Sequence, residues 1–369
     1  MTKHLVIMAA GTGGHIMPGL AVADEMKKRG WTVSWLGTEQ GMENRLVPPT
    51  GIPLDKVQFS GLRGKGLLHT LTGGLRMLKA FADCFQILKT RQASAVLGMG
   101  GYVCFPGGVM AAARGLPLVL VNADAALLMS NRALLPITDV LACGFDGPAA
   151  SKSKVARVTG NPVRADIEAI AEPAVRFAER QGPLRVLVVG GSLGAKVLNE
   201  TVPRALALLP ADQRPLVTHQ TGTANFEEVK AAYVQAGLDP ARDAEVVPFI
   251  NNMSQRLSAC DVIVCRAGAI TVSELCSAGV PSILVPLIVS TTAHQRDNAE
   301  YMAQHGAAVH LAQSKLNPQV LADQLRQLNR RDLLVMAKRA RGLGRPQSAA
   351  AVADAIEQLV KPSKKEASA

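Results

Sequence analysis

Short, uninterrupted apolar runs alternate along the chain with longer stretches in which apolar residues recur every three or four positions. Leu5 to Ala10 is the first run and ends in Gly11-Thr12-Gly13-Gly14-His15. Helical spacing follows from Gly19 to Arg29, with Pro18 near its start. Thr32–Leu36, Ala95–Leu97 and Leu116–Val121 are further strand-like runs, the second broken by Gly98-Met99-Gly100-Gly101. Strands of this kind, alternating with helices, predict a parallel sheet covered on both faces. Gly160-Asn161-Pro162-Val163-Arg164 interrupts the pattern, which then restarts. Arg185–Val189 is a strand, Gly190-Gly191-Ser192-Leu193-Gly194-Ala195 a turn, and a helix begins at about Lys196, with later strands at Val262–Cys265 and Ser282–Val285. The fold class is α/β, with two doubly wound, Rossmann-like halves. Their expected bounds are 1–163 and 164–344, with a helix over about 345–360 packing back on the first half. Lys361–Ala369, charged and small, reads as a frayed tail.

Composition agrees with two globular domains. At 369 residues the chain exceeds the size of one ordinary core, and 48% hydrophobic with 19% charged residues is not the balance of a disordered chain. The net charge of +11 suits an anionic partner without choosing one. Its distribution says more: residues 1–163 carry 17 basic against 9 acidic residues, and the remaining 206 carry 23 against 20. The six cysteines form no C-x-x-C pair and read as buried, reduced thiols. No signal peptide is visible, and the apolar stretches are too short or too broken to span a bilayer.

Four glycine clusters follow four strands, at Gly11, Gly98, Gly190 and Gly268. Bare backbone at a helix start lets N–H groups approach an anion, although a tight strand-to-helix turn accounts for any one cluster alone. In open sheets ligands sit at the carboxyl ends of strands, so the ensemble predicts a phosphate-binding cleft. Neither Gly11–Ile16 nor Gly190–Ala195 has the G-x-G-x-x-G spacing or a Walker lysine after it, which disfavours a dehydrogenase or a P-loop ATPase. In Arg266-Ala267-Gly268-Ala269-Ile270-Thr271-Val272-Ser273-Glu274 a glycine turn opens a helix, with Glu274 about one turn in. That carboxylate is placed to accept the two hydroxyls of a ribose, or merely to complement the helix dipole. His15 is a candidate proton acceptor, or only a cap. From Lys56 to Ala82 there are five basic residues and no acidic one. Leu67, Leu68, Leu71, Leu75, Leu78 and Phe81 are interleaved there, with Arg76 and Lys79 among them. The segment suits a helix lying on an anionic membrane, or a core-facing helix with a solvated basic side.

In order along the chain, these segments resemble the MurG family of peptidoglycan N-acetylglucosaminyltransferases. The resemblance is carried by Gly11–Ala21, Gly61–Gly66, Gly98–Val103, Gly160–Arg164, Gly190–Ser192, Arg266–Glu274, and His294-Gln295 with Asn298-Ala299. It implies a GT-B fold whose two domains face across a cleft. It also implies inverting transfer of GlcNAc from UDP-GlcNAc to the MurNAc 4-hydroxyl of undecaprenyl-pyrophosphoryl-MurNAc-pentapeptide (lipid I), giving lipid II. By the same resemblance, Ser192 and Ala269, Ile270, Thr271, Val272, Ser273 and Glu274 hold the diphosphate and ribose. Ile250 meets the uracil through its backbone, Gln295 binds the donor sugar, and Arg164 reaches the nucleotide. Thr12, Gly13 and Gly14 line the cleft, with His15 and Tyr102 nearby. The basic apolar stretch then becomes a seat on the cytoplasmic face of the inner membrane.

An inverting displacement needs a base, for which His15 is the candidate, and positive charge or dipoles for the departing UDP, from the Gly268 helix start and Arg266 or Arg164. The sequence has no D-x-D pair, so no protein-bound metal or cofactor is expected. One segment departs from the family. Where it usually has His-Glu-Gln-Asn, this chain has Val121-Asn122-Ala123-Asp124, with Leu128 at a usual glycine. The expectation is that Asn122 and Asp124 serve the cleft with exchanged roles. Leu193 stands where a Gln is common. The rival readings are another GT-B enzyme, such as a UDP-GlcNAc epimerase, and a noncatalytic sugar-nucleotide or anionic-lipid binding module. Nucleic acid is disfavoured as a partner, since aromatic residues at 4% leave few stacking platforms.

Overall fold

The computed structural model describes residues 2–59, 67–191, 193–239, 243–287 and 294–360, with the side chains of 67–73 and 75 left aside. The chain divides into two compact units, Met1–Val163 with Gln347–Ala369, and Arg164–Pro346.

The first unit is built on seven parallel strands: β1 (His4–Ala9), β2 (Thr32–Thr38), β3 (Leu54–Val57), β4 (Ala95–Gly100), β5 (Leu118–Asn122), β6 (Val140–Cys143) and β7 (Ala156–Val158). Their order is β3-β2-β1-β4-β5-β6-β7, so the strand order reverses beside β1, where β4 pairs on the other edge. β1 (after His4) and β4 to β6 are buried along their length, which explains why they read as continuous apolar runs rather than alternating ones. Helices α1 (Gly13–Lys28), α2 (Glu43–Leu46), α3 (Leu67–Thr90), α4 (Cys104–Ala113) and α5 (Met129–Leu134) connect them. The helix Ser348–Leu359 packs against α1. There Arg29 meets Asp354 at 2.6 Å and Glu357 at 2.9 Å, and Trp31 Nε1 donates to Glu357 at 3.0 Å.

Helix α1 starts six residues before the expected Gly19, so Gly13, Gly14 and His15 form its first turn rather than the loop before it. Pro18 lies inside the helix, where its ring cannot donate to the Gly14 carbonyl four residues earlier. Strand β4 likewise runs through Gly98 to Gly100 instead of stopping at Leu97. At Gly100 (φ +130°) an added Cβ would lie 2.6 Å from the His15 ring, so a glycine here lets that ring lie on the strand end.

The second unit carries six parallel strands: β8 (Arg185–Val189), β9 (Leu216–Gln220), β10 (Ala244–Val247), β11 (Val262–Cys265), β12 (Ser282–Leu284) and β13 (Ala308–His310). Their order is β10-β9-β8-β11-β12-β13, with the reversal between β8 and β11. Each reversal opens a crevice at the carboxyl ends of its central strands, the place where doubly wound sheets hold ligands. All six cysteines are buried and free, and burial pushes thiols such as Cys84 and Cys104 up to about 12. Among the described residues no helix is long and apolar enough to cross a membrane.

Candidate functional site

At the carboxyl ends of β1, β2 and β4 the first unit has a cavity of about 1080 Å³. Gly11, Thr12, His15, Tyr102, Arg76 and Lys79 contribute to its wall. Gly13 and Gly14 follow Thr12 in the first turn of α1. His15 Nδ1 lies 3.3 Å from the Ala10 carbonyl oxygen. A proton on Nδ1 satisfies that carbonyl and leaves the Nε2 lone pair as the acceptor, the arrangement a general base needs. Tyr102 is 56% exposed beside it.

The glycine turn is fixed by a residue that sequence reasoning did not single out. Glu43 is fully buried at the start of α2. Its Oε2 accepts the Gly11 N–H at 3.0 Å, and its Oε1 accepts the Thr38 N–H at 3.0 Å and the Thr38 hydroxyl at 2.7 Å. The Met42 N–H returns to the Gly11 carbonyl at 3.1 Å. Burial works against the ionised form, but the Thr38 and Gly11 donors outweigh it and hold the carboxyl below the ordinary glutamate range. At Gly41 a Cβ would sit 2.1 Å from the carboxylate. An acid inside Gly37-Thr38 … Gly41-Met42-Glu43, directly after a strand, was the available signal.

The Val121–Asp124 segment corrects the expected exchange of roles. Asn122 is fully buried and does not face the cavity. Its Nδ2 donates to the carbonyls of Asp124 (2.8 Å) and Ala126 (3.0 Å). Its Oδ1 accepts from the Leu128 N–H (3.0 Å) and from Asn131 Nδ2 (3.2 Å). All four capacities of the amide are used inside the loop. Asn131 also donates to Val121 O, and Asn161 donates to Ala123 O. Asn122 is therefore a loop-building amide rather than a stand-in for a catalytic acid. Asp124 is half-buried just beyond the carboxyl end of β5.

In the second unit the turn after β8 is tied down through its carbonyls. Gln220 Nε2 donates to Gly191 O at 3.0 Å and Asn225 Nδ2 to Leu193 O at 3.1 Å, which leaves Leu193 84% exposed. Behind it Asn199 bridges Thr221 O and His219. His219 also meets the Tyr233 hydroxyl, and burial pushes its pKa down to about 3, so it is neutral. Ser192 lies outside the described residues, as do the Gly61–Gly66 motif, the side chains of Leu67, Leu68, Leu71 and Leu75, and the tail Lys361–Ala369.

After β11, Gly268 caps the helix Ala269–Ala278. Its first N–H groups, at Ala269, Ile270 and Thr271, have no acceptor within the helix and point out of its end. Val272 and Ser273 are buried and anchor that turn. The turn is held by Asn298, whose Nδ2 donates to Ala267 O at 3.1 Å. Glu274 meets Arg164 at 3.2 Å. Burial raises the Glu274 carboxyl and Arg164 draws it back only in part. The expected ribose acceptor and the expected nucleotide-reaching arginine are thus partners. Arg266 donates to Val285 O and to Gln313 at 2.7 Å, and burial lowers its pKa. Gln295 accepts the Leu287 N–H at 2.9 Å, and Ile250 is buried behind the exposed Phe249.

On α3, Leu78 is 67% exposed, and Arg76 and Lys79 are exposed. Phe81, expected on the outer face, is half-buried with its ring 6.2 Å from that of Phe105. Phe85, outside the expected set, is exposed with Arg114 over its ring.

Known proteins match this chain over both units. The model of the glycosyltransferase family 28 N-terminal domain matches residues 5–140, and that of the family's C-terminal domain matches 185–359. A Methylibium petroleiphilum protein is 68% identical over 362 residues, covering 97% of this chain and 98% of its own. A Chromobacterium violaceum protein is 63% identical over 358 residues, with 97% and 98% covered. Both are named UDP-N-acetylglucosamine–N-acetylmuramyl-(pentapeptide) pyrophosphoryl-undecaprenol N-acetylglucosamine transferase. The crystal structure of Acinetobacter baumannii MurG superposes with a TM-score of 0.83 at 36% identity, covering 97% of this chain and all of that one. A putative UDP-N-acetylglucosamine 2-epimerase from Listeria monocytogenes, at 15% identity and TM-score 0.64 over 97% of each chain, shares the fold alone.

Proposed function

The chain belongs to the MurG family within glycosyltransferase family 28, and on that premise we propose how its two units divide one reaction. Its fold is GT-B. It is a glycosyltransferase that moves GlcNAc from UDP-GlcNAc to undecaprenyl-pyrophosphoryl-MurNAc-pentapeptide, forming lipid II for peptidoglycan. The observation that carries this is the 68% identity over 362 residues, which reaches across both units.

The finer chemistry is our proposal. The Arg164–Pro346 unit takes the donor: the N–H groups of Ala269 to Thr271 face the diphosphate, and Glu274, steadied by Arg164, accepts the ribose hydroxyls. Ser192, Ile250 and Gln295 complete the nucleotide and sugar contacts. The other unit takes the acceptor in its cavity beside Thr12 and His15, with Gly13 and Gly14 in the same helical turn and Asp124 on the loop after β5. Reaction is one in-line displacement. The MurNAc 4-oxygen forms a bond to the anomeric carbon, its proton passes to His15 Nε2, and the bond from that carbon to UDP breaks with its electron pair leaving on the diphosphate. The configuration inverts. The departing charge is met by helix N–H groups and by Arg164, with no protein-bound metal.

We further propose that this unit rests on the anionic cytoplasmic face of the inner membrane. The exposed Leu78 and Phe85 of α3 and the basic excess of residues 1–163 support that reading. Incubation with labelled UDP-GlcNAc and a lipid I analogue tests the whole reading. The expected product is the disaccharide-lipid. Release of free sugar, or 2-epimerisation of the donor without a lipid, would replace the reading with a hydrolase or an epimerase.

A further inference from the structure

The cavity of the first unit presents two cations that a membrane seat does not explain. Helix α3 turns Ala80, Cys84 and Leu88 into the core. At about 100° per residue, Arg76 lies on one flank of that core face, and Lys79, roughly 60° further round, points away from the core. The exposed Leu78 and Phe85 lie about 160–180° from Arg76 and about 100–120° from Lys79. Arg76 and Lys79 both line the cavity that also contains His15 and Tyr102, whereas Leu78 and Phe85 do not. The helix therefore sets Arg76 well away from its apolar outer stripe, with Lys79 lying between the two. A basic rim around a membrane patch would be expected to surround that stripe.

Resting on the acceptor chemistry proposed above, we propose that Arg76 and Lys79 bind the diphosphate of the lipid-linked acceptor. The match between the groups of the acceptor and those gathered at one cavity carries the argument. The acceptor runs from reacting hydroxyl to sugar ring, diphosphate and polyprenyl chain. The first unit offers the His15 imidazole and two cations on the wall of one cavity, and an exposed apolar stripe on the helix that carries those cations. The free protein holds the cations loosely enough for this. Lys79 Nζ donates to the neutral amide oxygen of Gln58 at 3.0 Å, and Gln58 Nε2 donates to Glu39 at 2.9 Å, all at exposed positions. Exchanging that amide for a diphosphate oxygen replaces a neutral acceptor with a charged one. Arg76 makes no ion pair with any described residue, and its planar fork suits two phosphate oxygens at once. Lipid headgroup phosphates offer similar chemistry, so the test separates the two sources.

The test compares the parent protein with R76Q, K79Q and the double variant, all at exposed positions that leave the core intact. The first arm measures KM for a short-chain, water-soluble diphosphate-linked acceptor without vesicles. KM should rise about 10- to 100-fold in the double variant, with KM for UDP-GlcNAc unchanged. The second arm titrates a C10 prenyl diphosphate and the matching prenyl alcohol by calorimetry. The diphosphate alone should lose affinity in the variants. The third arm measures sedimentation with vesicles of anionic and of neutral lipid. Unchanged acceptor KM and unchanged diphosphate affinity, with loss confined to anionic vesicles, would overturn the proposal and assign both cations to the membrane. A parent that binds the prenyl diphosphate through these residues yet makes no disaccharide would leave the diphosphate site standing and remove the proposed reaction.

Discussion

Replacing Glu43 with Gln should loosen the first unit at the turn that carries His15. The carboxylate is fully buried and accepts three hydrogen bonds, from the Gly11 N–H, the Thr38 N–H and the Thr38 hydroxyl. An amide fits the same space but has only one oxygen. If that oxygen faces Thr38, the NH2 group meets the Gly11 N–H; if it is turned, the NH2 group meets the Thr38 N–H. Either rotamer strands one buried backbone donor, at about 1–3 kcal/mol, and removes the charge that strengthens the other bonds. A total of about 3 kcal/mol corresponds to roughly 6–12 °C in the melting of a unit this size. Thermal melting at neutral pH measures it, alongside kcat at saturating donor. The sign with pH is also fixed. Glu43 titrates lower when folded than when unfolded, so it stabilises above the unfolded value of about 4.3 and loses that contribution as pH falls toward the folded one. The E43Q amide imitates the protonated acid, so the gap between parent and variant should shrink in acid. A Tm within about 1 °C of the parent at neutral pH, or a gap that does not change down to acid pH, would refute the reasoning.

Four further outcomes follow from the same geometry. H15Q should lower kcat by about 10²- to 10⁴-fold with UDP-GlcNAc binding unaltered, and a retained kcat would remove His15 as the base. E274Q should weaken UDP about 10- to 100-fold in calorimetry and abolish discrimination against UDP lacking a ribose hydroxyl; undiminished discrimination would place the ribose elsewhere. N122D should destabilise the first unit by about 3 kcal/mol, because a carboxylate cannot donate to the Asp124 and Ala126 carbonyls. The double swap N122E/D124N should be worse than D124N alone in both Tm and turnover; recovery by the swap would show that Asn122 does face substrate.

The fold was legible because parallel strands buried on both sides leave continuous apolar runs, and β1, β5, β8 and β11 all carry that mark. Boundaries were less so. Glycines read as turn residues, yet Gly13 and Gly14 are helical, and Gly98 and Gly100 end a strand. Their small size serves close packing, as at His15, and pattern alone does not separate that use from flexibility. On α3 the apolar spacing located the helix but not its faces. Phe81 turns toward Phe105 and Phe85 turns outward, a choice made by the neighbouring helix.

The polar residues that hold these loops, whether the sequence singled them out or not, share one property: they act on backbone groups. Glu43, Asn122, Asn131, Asn161 and Asn298 each bond a carbonyl or N–H group of the loops they hold. A polar side chain in a loop looks the same in sequence whether it faces substrate or the next peptide bond. Burial decides between the two, and burial belongs to the folded chain. Asn122 is the sharpest case. Its position beside Asp124 suggested a pair of reacting groups, but an amide with both donors and both acceptor sites satisfied inside the loop has nothing left for a ligand. The departure at Val121–Asp124 therefore concerns how the loop is held rather than what the reaction uses. It also confines whatever chemistry this loop contributes to the half-buried Asp124 and its neighbours, held by the asparagines behind them.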